Sequence, residues 1–105
     1  MTYRTKSKDK SVRDWTVTAE KDGDQVYVIF KFGRRTYLTM FISKNDWINP
    51  PGDTIGNRNY DRRELVRHMM ESTGKFSFYS EEACLTERLA DSCCTAMYKL
   101  MGGIS

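Results

Sequence analysis

Catalysis needs nucleophiles, bases or metal ligands in groups, and this sequence offers few of them. Its one histidine, His68, excludes every two-histidine metal motif, and Glu64 and Glu71 lie about one helical turn to either side of it, as on a solvated helix surface. The glycine-containing segment at 52–57 lacks the lysine and the hydroxyl residue that follow the last glycine of a phosphate-binding loop. We therefore expect a protein that is not an enzyme.

The cysteines do not have metal-binding spacing either. Cys84, Cys93 and Cys94 fall in a segment with helical periodicity, where Cys84 and Cys93 point to opposite sides. Three such thiolates cannot converge on one ion, and an odd number without framework spacing argues against a disulfide scaffold. We expect reduced cysteines, no metal site and no cofactor.

Binding chemistry is better represented, because cations and aromatic rings are interleaved through much of the chain. Residues 1–75 carry 15 of the 17 Lys and Arg side chains but only 10 of the 14 Asp and Glu side chains, which favours an anionic partner. Rings can stack on bases while cations neutralise phosphates. The candidate nucleic-acid or partner-binding residues are Tyr27, Lys31, Arg34, Arg35, Tyr37, Phe41, Trp47, Arg58, Arg62, Arg63 and Arg67.

Three predicted strands between residues 12 and 42 position many of these side chains. Apolar and polar residues alternate over residues 13–20, which is typical of a half-buried strand. Asp22-Gly23 predicts a type I′ hairpin turn into the second strand. The cross-strand pairs that follow are Ala19–Val26, Val17–Val28, Trp15–Phe30 and the charge pair Asp14–Lys31.

The turn into the third strand has two possible lengths. A two-residue turn at Gly33-Arg34 would set Phe30 against Tyr37, whereas a three-residue loop would set Phe30 against Leu38. A one-residue slip turns a strand over, so the length decides which side chains face outward. We favour the three-residue loop because it matches the core better. Its outer face carries Tyr27, Ile29, Lys31, Arg35, Tyr37, Thr39 and Phe41.

That outer face has two interpretations. It could be a stacking platform for single-stranded nucleic acid, or it could be a surface that a helix or a partner protein covers. The face of the sheet on which the helices pack decides between them.

The rest of the chain predicts a loop and two helices. Residues 43–60 have loop punctuation and one capped helical turn at 43–47, in which Trp47 is either a core anchor or an exposed interface residue. Asp61 begins a capping box, so a helix should run from Arg62 to Thr73 and end at Gly74. The arginines near its start could contact phosphate or form a solvated charged face.

The C-terminal part predicts a short strand and a long helix. Residues 75–79 alternate as a fourth strand would, and Ser80 caps a helix from Glu81 to Met101. The predicted fold is therefore α+β, with a three-stranded antiparallel meander followed by a helix, a short fourth strand and a C-terminal helix (βββαβα) in two layers.

The 105 residues fit one domain over residues 12–105, preceded by a basic tail at 1–11 that is flexible or lies along phosphates. No run approaches the length of a membrane span and no secretory signal is present, so we expect a cytoplasmic protein without a membrane partner.

The leading functional hypothesis is a non-enzymatic, regulatory module that contacts nucleic acid through the basic, aromatic sheet face. The alternative is a protein-binding inhibitor or adaptor, of the type that phages and other mobile elements use to block a host enzyme or nucleic-acid machine. Trp47, Tyr37 and Phe41 would then be interface anchors, because aromatic and Arg side chains dominate such interfaces.

Overall fold

A computed structural model describes residues 14–52, 58–79, 81 and 83–102, so the predicted tail at 1–11 lies outside the described residues. Three strands form an antiparallel sheet in chain order, and helices follow. The elements are β1 (Trp15–Asp22), β2 (Gln25–Phe32), β3 (Arg35–Ser43), α1 (Lys44–Ile48), α2 (Arg58–Ser72) and α3 (Ala83–Met101). The predicted α+β class is confirmed.

The helices pack on one face of the sheet. The buried residues of this inner face are Val26, Val28, Phe30, Met40 and Ile42, and they pack with Leu65, Val66, Met70, Leu89, Cys93 and Met97 of α2 and α3. On the opposite face Thr16, Thr18, Thr39 and Phe41 are exposed. The period of two in the sequence therefore reports a sheet with one covered face and one open face.

The first hairpin turn is shifted by one residue from its predicted position. Gly23 and Asp24 occupy the turn, with Gly23 at a φ of 61°, and Asp22 pairs with Gln25. The predicted pairs are therefore wrong by two residues of β2, since Ala19 lies opposite Val28. This register sets the two large rings of Trp15 and Phe32 together. A shift of two preserves side-chain parity, so the faces of both strands are those predicted.

The second hairpin combines features of both predicted registers. Its turn has two residues, Gly33 and Arg34, because Phe32 pairs with Arg35. The favoured three-residue loop is therefore wrong. The register then shifts between Phe30 and Lys31, which leaves Tyr37 as the extra residue of a β-bulge. Beyond the bulge the favoured core pairs, Phe30–Leu38, Val28–Met40 and Val26–Ile42, are confirmed.

The helices begin or end within a few residues of their predicted bounds, except at the start of α2. That helix begins at Arg58, so Asp61 lies inside it and is buried instead of capping it. A Cβ atom on Gly52 would lie 2.6 Å from Asp61 Oδ1, which places the Asp61 carboxylate against the loop backbone. Trp47 in α1 is fully buried, so of its two predicted roles the structure supports the core anchor and not the exposed interface residue.

The predicted fourth strand is wrong, because residues 75–79 form bends and irregular backbone without a strand partner. Phe78 is buried, and the Phe76 ring lies 5.1 Å from the Phe30 ring. The alternation of Phe76 and Phe78 with polar residues therefore reflects two rings that pack inward from a loop. Among the described helices, none is long and apolar enough to span a bilayer.

Candidate binding surfaces

The bulge at Tyr37 decides where this ring lies. The Tyr37 ring centroid is 5.1 Å from that of Trp15 and 5.7 Å from that of Phe76, two residues on the helix side of the sheet. The predicted placement of Tyr37 on the outer face is therefore wrong. The physical reason is the extra residue, which lets Tyr37 and its neighbour Leu38 both turn toward the inner face.

Arg35 changes sides for a related reason. The two-residue turn pairs Arg35 with Phe32, and Phe32 in turn pairs with Trp15. Directly opposed residues of an antiparallel sheet share a face, so Arg35 lies at the end of the inner face. Its predicted place on the outer face is also wrong.

The displaced ring completes an aromatic pocket at the turn end of the sheet. We define the aromatic pocket by the rings of Trp15, Phe32, Tyr37 and Phe76, which border a cavity of about 450 Å³. The ring centroids of Trp15 and Phe32 are 5.4 Å apart, and the first turns of α3 contribute Leu85 and Leu89 to the wall. A cavity of this composition suits an apolar side chain or a small apolar ligand.

The mouth of the aromatic pocket is exposed and bears positive charge. Phe32 is 47% exposed and Tyr37 is 42% exposed. The Lys75 ammonium lies 5.5 Å from the centroid of the Tyr37 ring, and the Tyr37 hydroxyl donates to the Lys75 carbonyl oxygen at 3.3 Å. Arg34 is exposed in the adjacent turn, and Arg35 is exposed at the start of β3, where it pairs with Phe32. The pocket therefore combines an apolar interior with a cationic rim.

The outer sheet face keeps fewer of its predicted residues. We use this name for Tyr27, Ile29, Lys31, Thr39 and Phe41. The Tyr27 and Phe41 rings are 6.0 Å apart, and Phe41 is 48% exposed. Tyr27 donates to Glu20 Oε1 at 3.0 Å, and this hydrogen bond to a carboxylate raises the pKa of the Tyr27 phenol. The face is not basic, since the carboxylates of Glu20 and Asp22 both act on Tyr27, whereas Lys31 is the one cation among the five residues that define the face.

Two of the predicted phosphate-binding arginines form ion pairs between α2 and α3. Arg63 donates to Glu87 at 2.9 Å and also pairs with Asp91. Arg67 pairs with the same Glu87, and its guanidinium carbon lies 4.4 Å from the centroid of the Phe78 ring. These hydrogen bonds, to Asp91 for Arg63 and to Glu87 for Arg67, raise the pKa of both guanidinium groups. Carboxylates of the same chain therefore already neutralise these charges.

The other two arginines of this group attach α2 to α1. Arg58 Nη1 donates to the Ile48 carbonyl oxygen at 2.8 Å and to Asn49 Oδ1 at 3.1 Å. Arg62 is only 4% exposed, and its Nε donates to the Trp47 carbonyl oxygen at 2.7 Å. The burial of Arg62 and Trp47 does not fit the binding role predicted for them from the sequence.

No family model matches this sequence, and no curated protein or solved structure matches it either.

The groups considered for catalysis lie apart from one another. His68 and Cys84 are exposed, on α2 and α3 respectively. Burial raises the pKa of the Cys93 thiol, and burial also raises the pKa of Cys94 to about 11. Within the described part of the chain, no three His, Cys, Asp or Glu side chains are grouped as metal ligands would be.

The aromatic pocket was missed at the level of sequence, although its parts were visible. The sequence predicts Trp15 in the first strand and Phe76 in a fourth strand. The residues that bring them together are the bulged Tyr37 and the loop at 75–79, and neither has a local sequence signal. Of the eleven candidate residues, Tyr37 lines the pocket, and Arg34 and Arg35 follow Phe32 in the same hairpin. Tyr27 and Phe41 lie together on the outer sheet face, and Lys31 lies on the same face further along β2.

Proposed function

We propose that this chain is a non-enzymatic protein-binding module whose aromatic pocket receives an apolar side chain of a partner protein. The observation that carries the proposal is the cavity of about 450 Å³ between four aromatic rings, with Phe32 and Tyr37 nearly half exposed at its mouth. Large rings at a concave, partly exposed site are typical of interface hot spots, because a partner that fills the site excludes water from them.

The positive charge beside the pocket favours a partner with negative charge next to the inserted side chain. Lys75 lies beside the Tyr37 ring at the pocket, and Arg34 and Arg35 are exposed in the hairpin that follows Phe32, so an acidic residue beside the inserted apolar side chain would be complementary. This arrangement suits an inhibitor or adaptor that docks on an acidic surface. It fits the protein-binding hypothesis better than the nucleic-acid hypothesis, since four arginines once assigned to phosphates have intramolecular partners.

A nucleic-acid module is the second candidate, and it rests on the outer sheet face. The observation in its favour is the ring pair of half-buried Tyr27 and exposed Phe41 on the face that also carries Lys31. Two neighbouring rings on adjacent strands can stack bases. The Glu20 carboxylate at the same face opposes phosphate binding, because like charges repel.

The proposed function is tested by capturing proteins from a cell extract on three immobilised forms of the chain. The amount of each captured protein is then compared between the forms. The forms are the wild type, Phe32→Asp at the pocket and Phe41→Asp on the outer sheet face. Phe32 and Phe41 are 47% and 48% exposed, so the two substitutions are matched in surface character. We expect a set of proteins that the wild type and Phe41→Asp retain and that Phe32→Asp loses. Equal retention by all three forms would contradict the proposal.

A parallel titration separates the nucleic-acid candidate. Single-stranded and double-stranded oligonucleotides are titrated at low salt against the same three forms. Binding that Phe41→Asp abolishes and that weakens steeply with salt would support the outer sheet face as a nucleic-acid site. Absence of binding to both kinds of oligonucleotide at low salt would eliminate it.

A further inference from the structure

The hydrogen bonds of the first hairpin show which backbone groups of β1 point away from the sheet. The Gly33 N–H donates to the Asp14 carbonyl oxygen at 2.9 Å, which fixes the phase of the ladder between β1 and β2. In an antiparallel pair the bonded residues alternate, so the even-numbered residues of β1 bond to β2. The outward groups belong to Trp15, Val17, Ala19 and Lys21. Among the described residues, no strand pairs with this edge.

A groove of about 730 Å³ runs along this edge between β1 and α3. Residues of both faces of β1, from Trp15 to Ala19, line one side, so the groove follows the strand edge and not one sheet face. The other side is a stripe of α3: Asp91, Ser92, Thr95, Ala96, Lys99 and Leu100. The middle of that stripe has small side chains, which leave space for a backbone at the spacing of a neighbouring strand.

The two edges of the sheet differ in regularity. All pairs between β1 and β2 follow one register, whereas the bulge at Tyr37 interrupts β3. Native proteins protect edge strands from added strands with bulges, prolines or charged side chains, and β1 has one such charge, Lys21, at its turn end, but none at the outward positions Trp15, Val17 and Ala19. The β1 edge is therefore the one that remains suited to pairing.

We propose that the free edge of β1 binds an extended peptide segment of a partner protein as an additional strand of the sheet. The outward N–H and C=O groups of Val17 and Ala19 supply the backbone hydrogen bonds, and alternate side chains of the peptide face α3. Trp15 borders both this groove and the aromatic pocket, but the backbone groups of Val17 and Ala19 lie outside the pocket, and neither Phe32 nor Tyr37 lines the groove.

The α3 stripe specifies the chemistry of the peptide. The small side chains of Ser92, Thr95 and Ala96 leave room for residues of moderate size at the positions that face the helix, where the Ser92 and Thr95 hydroxyls can also hydrogen-bond. Lys99 is exposed and pairs with no carboxylate among the described residues, whereas Asp91 at the other end pairs with Arg63. A carboxylate side chain of the peptide is therefore complementary to the Lys99 end of the groove.

Selection from a random peptide display library, followed by amide hydrogen exchange with an enriched peptide, tests this site. We expect enriched sequences that alternate apolar and polar residues and include an acidic residue. The bound peptide should slow exchange at the outward amides of Val17 and Ala19 about tenfold or more, because each gains a hydrogen bond.

The matched variants are two prolines on opposite edges. Val17→Pro removes an outward N–H and no bond to β2, so it should lower peptide affinity about tenfold or more while the sheet persists. Thr39→Pro is the control, because the Thr39 N–H points away from the sheet at the opposite edge, that of β3. The hydrogen bond from the Lys44 N–H to the Asp24 carbonyl oxygen shows this, since it makes the even-numbered residues of β3 the ones that bond to β2. This variant should bind the peptide as the wild type does.

If Val17→Pro does not fold, a peptide with N-methyl groups at alternate amides tests the wild-type chain instead, because each methyl group removes an N–H donor. The peptide should not bind when the methylated amides are those that face β1. The proposal is overturned if the library yields no enriched peptide, if Val17→Pro or the methylated peptide binds unchanged, or if protection appears on β3 instead of β1.

Discussion

Arg62 donates from Nε to the carbonyl oxygen of Trp47 at 2.7 Å, and its guanidinium carbon lies 5.3 Å from the centroid of the Trp47 ring. Both residues are buried, and the same guanidinium lies 6.0 Å from the ring of Tyr98 in α3. One buried cation therefore connects all three helices, through a hydrogen bond to α1 and cation–π contacts to α1 and α3.

Replacing that cation should destabilise the fold strongly. Arg62→Met keeps an apolar chain of similar length but leaves the buried Trp47 carbonyl oxygen without its donor. We expect a loss of about 2–4 kcal/mol in the free energy of unfolding, because a buried hydrogen bond to a charged group is lost and an acceptor is left unpaired. Urea denaturation measures it, and Arg34→Met on the exposed turn is the control, with a change below about 0.5 kcal/mol.

Gly52→Ala tests the contact between the loop and Asp61. Gly52 has a φ of 153°, and an added Cβ would lie 2.6 Å from Asp61 Oδ1. We expect about 2 kcal/mol of destabilisation or more from strain and clash together. Gly23 has a φ of 61°, but no atom lies within 4 Å of a Cβ added there. Gly23→Ala should therefore cost only the backbone strain of a left-handed conformation, about 1 kcal/mol. Equal losses in the two variants would contradict this interpretation of the contact.

Glu87 is the shared acceptor of Arg63 and Arg67, so Glu87→Gln should weaken the packing of α2 on α3. Glu87 is 36% exposed, and water screens its charge, so the expected loss is about 0.5–1 kcal/mol. The loss should shrink in high salt, because added ions screen the pairs already in the wild type. Thermal unfolding at low and high salt measures both effects. A loss for exposed Glu71→Gln as large as that for Glu87→Gln would show that the effect is not specific to these ion pairs.

The three thiols should react in order of exposure and pKa. At pH 8 a thiol reagent should modify exposed Cys84 quickly and Cys94 slowly, since burial raises the pKa of Cys94 to about 11. Cys93 is fully buried, and it should react only as the chain unfolds. Mass spectrometry of the modified peptides over time gives the order. Fast modification of Cys93 in the folded protein would contradict the packing of α3.

The same pKa shift sets a direction for stability at high pH. The folded state holds the Cys94 thiol protonated, whereas the unfolded chain ionises it near its ordinary value of about 9. The contribution of this thiol to stability is therefore complete below pH 9 and is lost as the pH rises to about 11. Cys94→Ala should remove that part of the alkaline decline, which unfolding measurements across this pH range can detect.

The sequence predicted the sheet well because its faces depend only on parity. Alternation in β1 and β2 assigns each side chain to a face, and the two-residue error in register left every assignment in those strands intact. In the third strand the parity changes, because the bulge adds one residue. There the glycine at position 33 favours a short turn while the core favours Phe30 against Leu38, and the chain satisfies both by adding a residue at Tyr37.

The candidate site was less predictable, because it depends on contacts between distant parts of the chain. Arginine is usually solvent-exposed, so nothing local indicated that Arg62 would be buried against Trp47. The ion pairs of Arg63 and Arg67 with α3 likewise depend on how two helices pack. Composition could indicate a surplus of cations but not which of them already had carboxylate neighbours.

The order of elements along the chain has a consequence for biosynthesis. Both hairpins join strands that are adjacent in sequence, whereas α3, which packs along β1, is made only after α1 and α2. A nascent chain can therefore close the meander while the apolar side of Val28 and Phe30 still has no cover. Chaperones bind such surfaces, so the interval before α3 leaves the ribosome is when this chain is most exposed to misfolding.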